Sequence, residues 1–270
     1  MTTHLGFETL GLYAISFGLY IWFLYVNKRL IGRAATLSLA GGVVLHYLAL
    51  IERSRWVHSV PYQDLYGSMS LFAWLLAVTY LGLETFHRQR SVGPFILPFI
   101  VVLSVLANFS PATPPPPPPA HGPLFALHVT LNILAYSAFA LSFVLSLIYL
   151  LQNRLLRERH LGTVSWRFPA LEVLERMSRS SVLVGIGALC VGMVLGFMWV
   201  HRVSGQYWNA DPKEIATLLI LAAYAVYAWL ARRTAWRGAR ASLLCAFNFV
   251  FVVFSYSIVN FYLSRYHRYF

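Results

Sequence analysis

Nine histidines are the residues of this 270-residue chain best suited to hold a metal. Imidazole is the commonest metal ligand in proteins and suits heme iron. Depth along the apolar pattern separates the nine. His87 and His160 fall among arginines and read as ordinary loop residues; His4, His58, His121 and His201 lie in loops or at span ends and read as surface residues. His128 sits about one turn into the fifth apolar run, and His267 lies just beyond the eighth. Two imidazoles on opposite sides of a planar macrocycle would complete a six-coordinate iron; chance placement of two histidines near one face is the plain alternative. His46 lies inside the second apolar run. An ionisable group at membrane depth is costly and faces protein or a cavity. It reads either as a packed, hydrogen-bonded neutral side chain or as a ligand along a transfer path.

A second concentration of chemistry is the stretch 205–214, GQYWNADPKE. Gly205 permits a close turn. Tyr207 and Trp208 supply flat rings that would stack on a porphyrin, although aromatics at a membrane interface are also ordinary belt residues. Asp211, Pro212 and Glu214 read as a helix start, with Asp211 as the cap and Glu214 reaching back. Arg202, Lys213 and Arg265 are cations near this face and suit carboxylates. Catalytic alternatives are thin. The sequence has no HExxH, no GxSxG and no glycine-rich phosphate loop, and its acids form no carboxylate pair. Cys190 and Cys245 lie inside apolar runs, form no CxxC pair and are expected to be small buried hydrophobes.

What positions these groups is a membrane bundle. Hydrophobic residues make up 59% of the chain and charged residues 11%, against about a quarter charged in a soluble domain. That deficit cannot cover a water-facing surface. A net charge of +12 often signals nucleic acid. Here the bases cluster in short loops between apolar runs, which is the membrane pattern and excludes a nucleic-acid partner. A helical span needs about 20 apolar residues. Eight runs qualify: 7–26, 34–51, 68–84, 93–109, 124–151, 181–200, 215–231 and 242–263. The fold class expected is therefore all-α, a polytopic bundle of about eight spans forming one domain over 1–270. The first run lacks a basic flank and a small-residue cleavage site and is expected to be retained.

Alternate loops divide the 21 Lys and Arg residues into fifteen and six. The richer set should be cytoplasmic, which places both termini, His128, His267 and the 205–214 loop outside. Segment 52–67, with charges and aromatics mixed, is expected to be an interfacial helix, and 168–172 to open a helix lying at the inner interface. The six prolines 114–119 would form a polyproline II rod of roughly 19 Å. That rod is either a docking element or simply a rigid loop.

The residues 205–214 resemble the tryptophan-rich loop of the CcsA/ResC-type cytochrome c assembly family, whose pattern is roughly W-G-x-x-W-x-W-D-P-K-E. Gly205, Trp208, Asp211, Pro212, Lys213 and Glu214 match it; Ser204 and Ala210 stand where the pattern has tryptophans. Asp64-Leu65-Tyr66-Gly67-Ser68, Leu171-Glu172 to Arg176 before Ser180, and Val259-Asn260-Phe261 before Tyr266-His267 are similar to further segments of that family, in the same order.

The resemblance implies that His128 and His267 are the outer pair ligating heme b, and that His46 is the embedded histidine that holds it during passage. It also implies a partner of the CcsB/ResB type, an apocytochrome c as client, and separate thiol-reducing proteins. The chain would then be the membrane half of a heme lyase in the inner (plasma) membrane of a bacterium. Two other readings remain at this point. Short relatives with degenerate loops, HemX-like proteins, are membrane regulators or stabilisers of heme synthesis, and a small-solute transporter would need only eight spans and an embedded histidine.

Overall fold

The computed structural model describes residues 4–58, 60–62, 64–110, 122–158, 168–208 and 212–255. Those residues form eight α-helices and one 3-10 turn, Thr234–Trp236, with no strand among them. The helices are α1 His4–Val26, α2 Arg29–Val57, α3 Leu65–His87, α4 Gly93–Phe109, α5 Gly122–Arg157, α6 Leu171–Ser204, α7 Pro212–Leu230 and α8 Ala239–Phe254. Six of them, all except α4 and α8, are long and apolar enough to cross a membrane. With its many lipid-suited exposed side chains, such as Leu30, Leu37 and Phe247, the chain is a multi-pass helical membrane protein. In lipid each helix satisfies its own backbone, so apolar runs of this length have no better conformation.

Successive helices run antiparallel. Ser16 Oγ on α1 donates to the Ala35 carbonyl on α2, Trp74 Nε1 on α3 donates to the Val43 carbonyl, and Ser181 Oγ on α6 donates to the Ala138 carbonyl on α5. The alternation gathers the starts of α3, α5 and α7 and the ends of α2, α4 and α6 at one end of the bundle, here the site end. Two large apolar cores fill the bundle, with two smaller clusters around Leu71 and Phe125. Tyr13, Tyr20, Leu39, Tyr80 and Leu97 from α1–α4 pack on Leu141, Leu145 and Leu174 of α5 and α6. Phe139, Val182, Leu189, Tyr224 and Cys245 form the second core, among α5–α8. The long pair α5–α6 is thus a spine shared by both. Along it Gly185 lets the Phe139 ring lie against the α6 backbone, and Phe139 stacks on Tyr224 of α7 at 3.7 Å and 4°.

Polar layers pin the α1–α4 half. Glu84, 2% exposed, accepts hydrogen bonds from Tyr20 and Tyr80 at 2.5 and 2.6 Å and from Thr36 at 2.6 Å. Arg90 lies 3.8 Å from the same carboxylate. A buried carboxylate is tolerable only when its lone pairs are met in this way. Near the site end Arg53 pairs with Asp64, both buried. Asp64 also caps α3 through the Gly67 N–H at 2.9 Å, and the Arg53 guanidinium lies 4.3 Å from the Trp56 ring.

These contacts correct three sequence expectations. Segment 52–67 is not a separate interfacial helix, because α2 continues to Val57 and α3 begins at Leu65; the pairing of Arg53 with Asp64 removes the charge that suggested an interface. The helix opening near 168–172 continues as the 34-residue α6. Cys190 is exposed on the outside of the bundle, whereas Cys245 is buried beside Ser142.

Candidate functional site

At the site end a cavity of about 510 Å3 lies among α3, α5, α6, α7 and α8, with Leu103 of α4 also on its wall. Small-molecule and cofactor sites occupy roughly 300–1,000 Å3 and are mostly apolar with a few placed polar groups. This cavity fits that description. Phe72, Ile133, Phe197 and Phe249 supply apolar wall, and His128, Asn132, Lys213 and Glu214 supply polar groups.

His128 is positioned by α6. Its Nδ1 lies 2.7 Å from the Gly192 carbonyl oxygen. A carbonyl can only accept, so Nδ1 carries the proton and Nε2 keeps its lone pair. Fixing one ring nitrogen on a carbonyl is how proteins orient a metal-binding imidazole and select its tautomer. The close approach depends on Gly192-x-x-x-Gly196, a small-residue pair of the kind that lets membrane helices touch. A Cβ at Gly196 would lie 2.6 Å from Cε1 and Nδ1 of His128. Asn132, one turn along α5, donates to the His128 carbonyl at 2.9 Å. Phe125 packs beside the ring, centroids 6.2 Å apart, and against Trp199 at 4.7 Å.

The sequence candidates separate as follows. His128 and Lys213 are brought to the same cavity. Trp208 stands at its rim, edge-on to the cavity-lining Phe197 at 5.9 Å. Tyr207 instead stacks on His201 at 3.9 Å and 4°, and Arg202 is exposed. Gly205, at φ +74°, ends α6 in the left-handed conformation, the close turn that a glycine there predicts. Pro212 opens α7. Asp211, Arg265 and His267, with the prolines 114–119, lie outside the described residues.

His46 is elsewhere, 4% exposed between α1 and α3. Tyr13 Oη lies 3.1 Å from its Nδ1 and Ser70 Oγ 2.9 Å from its Nε2. Asn132, Gly192 and Gly196 were not singled out by the sequence reading. Two signals existed: Asn132 is four residues after His128 and so shares its face, and the glycine pair marks a close helix contact.

The donor set suits an iron porphyrin: a neutral imidazole held by its far nitrogen, an apolar wall and a cation in the lining. Comparison with known proteins agrees with the architecture. The chain is 29% identical over 229 residues to Protein HemX of Brevibacillus brevis, covering 83% of each. It is 26% identical over 289 residues to Cytochrome c biogenesis protein CcsA of Gloeobacter violaceus, covering 85% of each. Among solved structures it resembles Cytochrome c Heme Lyase CcmF with a TM-score of 0.57 at 17% identity, a likeness of fold; the match covers 97% of this chain and 46% of that one, so the chain spans about half of that protein. Residues 62–267 match the family described as Cytochrome C assembly protein, and they take in the cavity, its histidine and the loop beside it: the chain belongs to the cytochrome c assembly protein family.

Proposed function

We propose that this chain is the heme-handling membrane subunit of a cytochrome c maturation system, working as one domain in a bacterial inner membrane with its site end outward. The observation that carries the reading is His128, with Nδ1 spent on the Gly192 carbonyl at 2.7 Å and its ring in the wall of a mostly apolar 510 Å3 cavity. Heme b is the cargo. His128 and His267 are the residues that would hold its iron. Trp208 covers the ring edge, and Lys213, Arg202 and Arg265 meet the propionates, a charge-assisted pairing. Asp211, outside the described residues, is the proposed cap of the helix that carries Lys213. His46 is the embedded holding point, and to act there it gives up the bond to Ser70 or to Tyr13.

Presentation at an outward mouth lets an apocytochrome c bring its two thiols to the vinyl groups. Each S–H adds across one C=C, so no net oxidation accompanies the step, and separate reducing proteins need only keep the thiols reduced. The chain's contribution is to hold and orient. A CcsB/ResB-type membrane protein is the expected partner.

The test is the optical spectrum and heme content of the purified protein after heme-replete expression. A bis-imidazole spectrum that collapses in His128→Ala and His267→Ala supports the site; heme-free wild type would end it. The similarity to Protein HemX favours one second reading, a membrane regulator or stabiliser of heme synthesis. Cytochrome c maturation in a deletion strain separates the two, since a regulator would leave attachment intact once heme is supplied.

A further inference from the structure

The cavity beside His128 is not sealed on its lipid side. Val253 of α8 lines it and is also 49% exposed, so one side chain faces both the cavity and the outside of the bundle. Its depth decides what that outside is. Val253 lies near the middle of the apolar run 242–263, where a spanning helix meets acyl chains and not water. The opposite wall reaches lipid in the same way. Leu103 of α4 lines the cavity, and its neighbours Val102 and Leu106 are exposed on the outer surface. α4 packs chiefly on α1 and α3, whereas α8 packs chiefly on α5 and α7. The two walls thus belong to different halves of the molecule, and α5 forms the floor of a cleft between them. Phe249 of α8 stacks on Phe143 of that floor at 4.8 Å, which holds the α8 wall in place.

We infer that this cleft between α4 and α8 is a lateral port, and that an acyl chain of a bilayer phospholipid enters through it and occupies the cavity. The occupant follows from the chemistry of the lining. The polar groups Ser68, Lys213 and Glu214 come from the first turns of α3 and α7, at the site end. Leu103, Phe249 and Val253 at the port, with Ile133 of α5 and Met193 of α6, are apolar. A buried water needs about two to four polar partners, and that part of the lining does not supply them. An unfilled void would forfeit the dispersion contacts its walls could make. A hydrocarbon chain already lying against Val253 meets both conditions, and it enters without stripping water from any polar group. The inference concerns the cavity itself. It bears on the proposed function in one respect: an incoming heme has to displace the chain.

The experiment places the full chain in nanodiscs containing a phosphatidylcholine with a carbene-generating diazirine partway along one acyl chain. After irradiation the labelled residues are mapped by mass spectrometry. Met193 is the reporter, because it lines the cavity and is buried in the bundle. Phe247, exposed on α8, is the control for ordinary lipid contact. Both are expected to be labelled in the wild type. Val253→Trp and Leu103→Trp narrow the port from opposite walls; each is expected to abolish the Met193 label and leave that on Phe247. A wild type labelled at Phe247 and not at Met193 overturns the inference by itself, whatever the variants do. So does a Met193 label that survives in a variant with the wild-type melting temperature. Added heme separates this inference from the functional reading. Loss of the Met193 label at full heme occupancy is expected, and a label that persists there overturns the shared cavity. Protein that binds no heme yet labels at Met193 keeps the port and sinks the functional reading instead.

Discussion

Two histidines sit in the two halves of this bundle, and their partners differ. His46, between α1 and α3, has a hydroxyl on each ring nitrogen, Tyr13 at 3.1 Å and Ser70 at 2.9 Å. His128, between α5 and α6, has one nitrogen committed to a carbonyl at 2.7 Å and the other within 3.4 Å of an amide that is already bonded elsewhere. Around His46 the helices close on each other; beside His128 they leave a cavity. Depth in the membrane would rank His46 as the more unusual residue. A count of satisfied lone pairs ranks His128 as the readier ligand. Burial shows that a polar group matters, and its partners show whether it is spent.

Four substitutions would break or sharpen that contrast. The largest effect is expected for His128→Ala, which should reduce outer-site heme affinity on the order of 100-fold, the upper end of losses seen at metal sites, while His46→Ala leaves the outer-site spectrum in place. Equilibrium heme titration decides it, and the reverse ranking would refute the contrast. Next comes Glu84→Ala in the tightly bonded half. Stranding the Tyr20, Tyr80 and Thr36 hydroxyls should cost about 3 kcal/mol of stability without altering the heme spectrum. A thermal melt in detergent measures it.

Gly196→Ala acts in the other half. The added methyl meets the His128 ring at 2.6 Å and should weaken heme binding about tenfold, as does loss of an orienting neighbour, with a smaller change in melting temperature. Equal losses of binding and stability would show that the glycine serves packing alone. The smallest effect is expected for Ser70→Ala, which removes one hydrogen bond from His46 and should cost about 1 kcal/mol. If it also raises heme occupancy at His46, that histidine is a gated ligand.

Much of this was legible in the sequence. Apolar run length predicted eight helices because the bilayer sets that length, and the helices appear where the runs are. The ends were less legible. The apolar run of span two stops at 51, yet α2 runs to Val57, because the partner of Arg53 is eleven residues away at the cap of the next helix. The same limit applied at the site. His128, Lys213 and Trp208 could be placed at one end by topology alone. That Gly192 offers a carbonyl to His128, or that Tyr207 pairs with His201 rather than facing the cavity, depends on the rotation of one helix against another. A pattern of residue types along the chain does not contain that rotation.

The stack of Phe139 on Tyr224, backed by Gly185, joins α5 to α7 about one turn beyond the cavity-lining Tyr136. It therefore works as a ruler. The nitrogen of His128 and the ammonium of Lys213 ride on the two helices that it joins, so on the proposed reading the stack helps to set the span between them. A macrocycle whose acidic arms are shorter, longer or esterified would satisfy one group and miss the other. Size selection at the mouth of this protein would then be decided by an aromatic pair that never touches what is being selected.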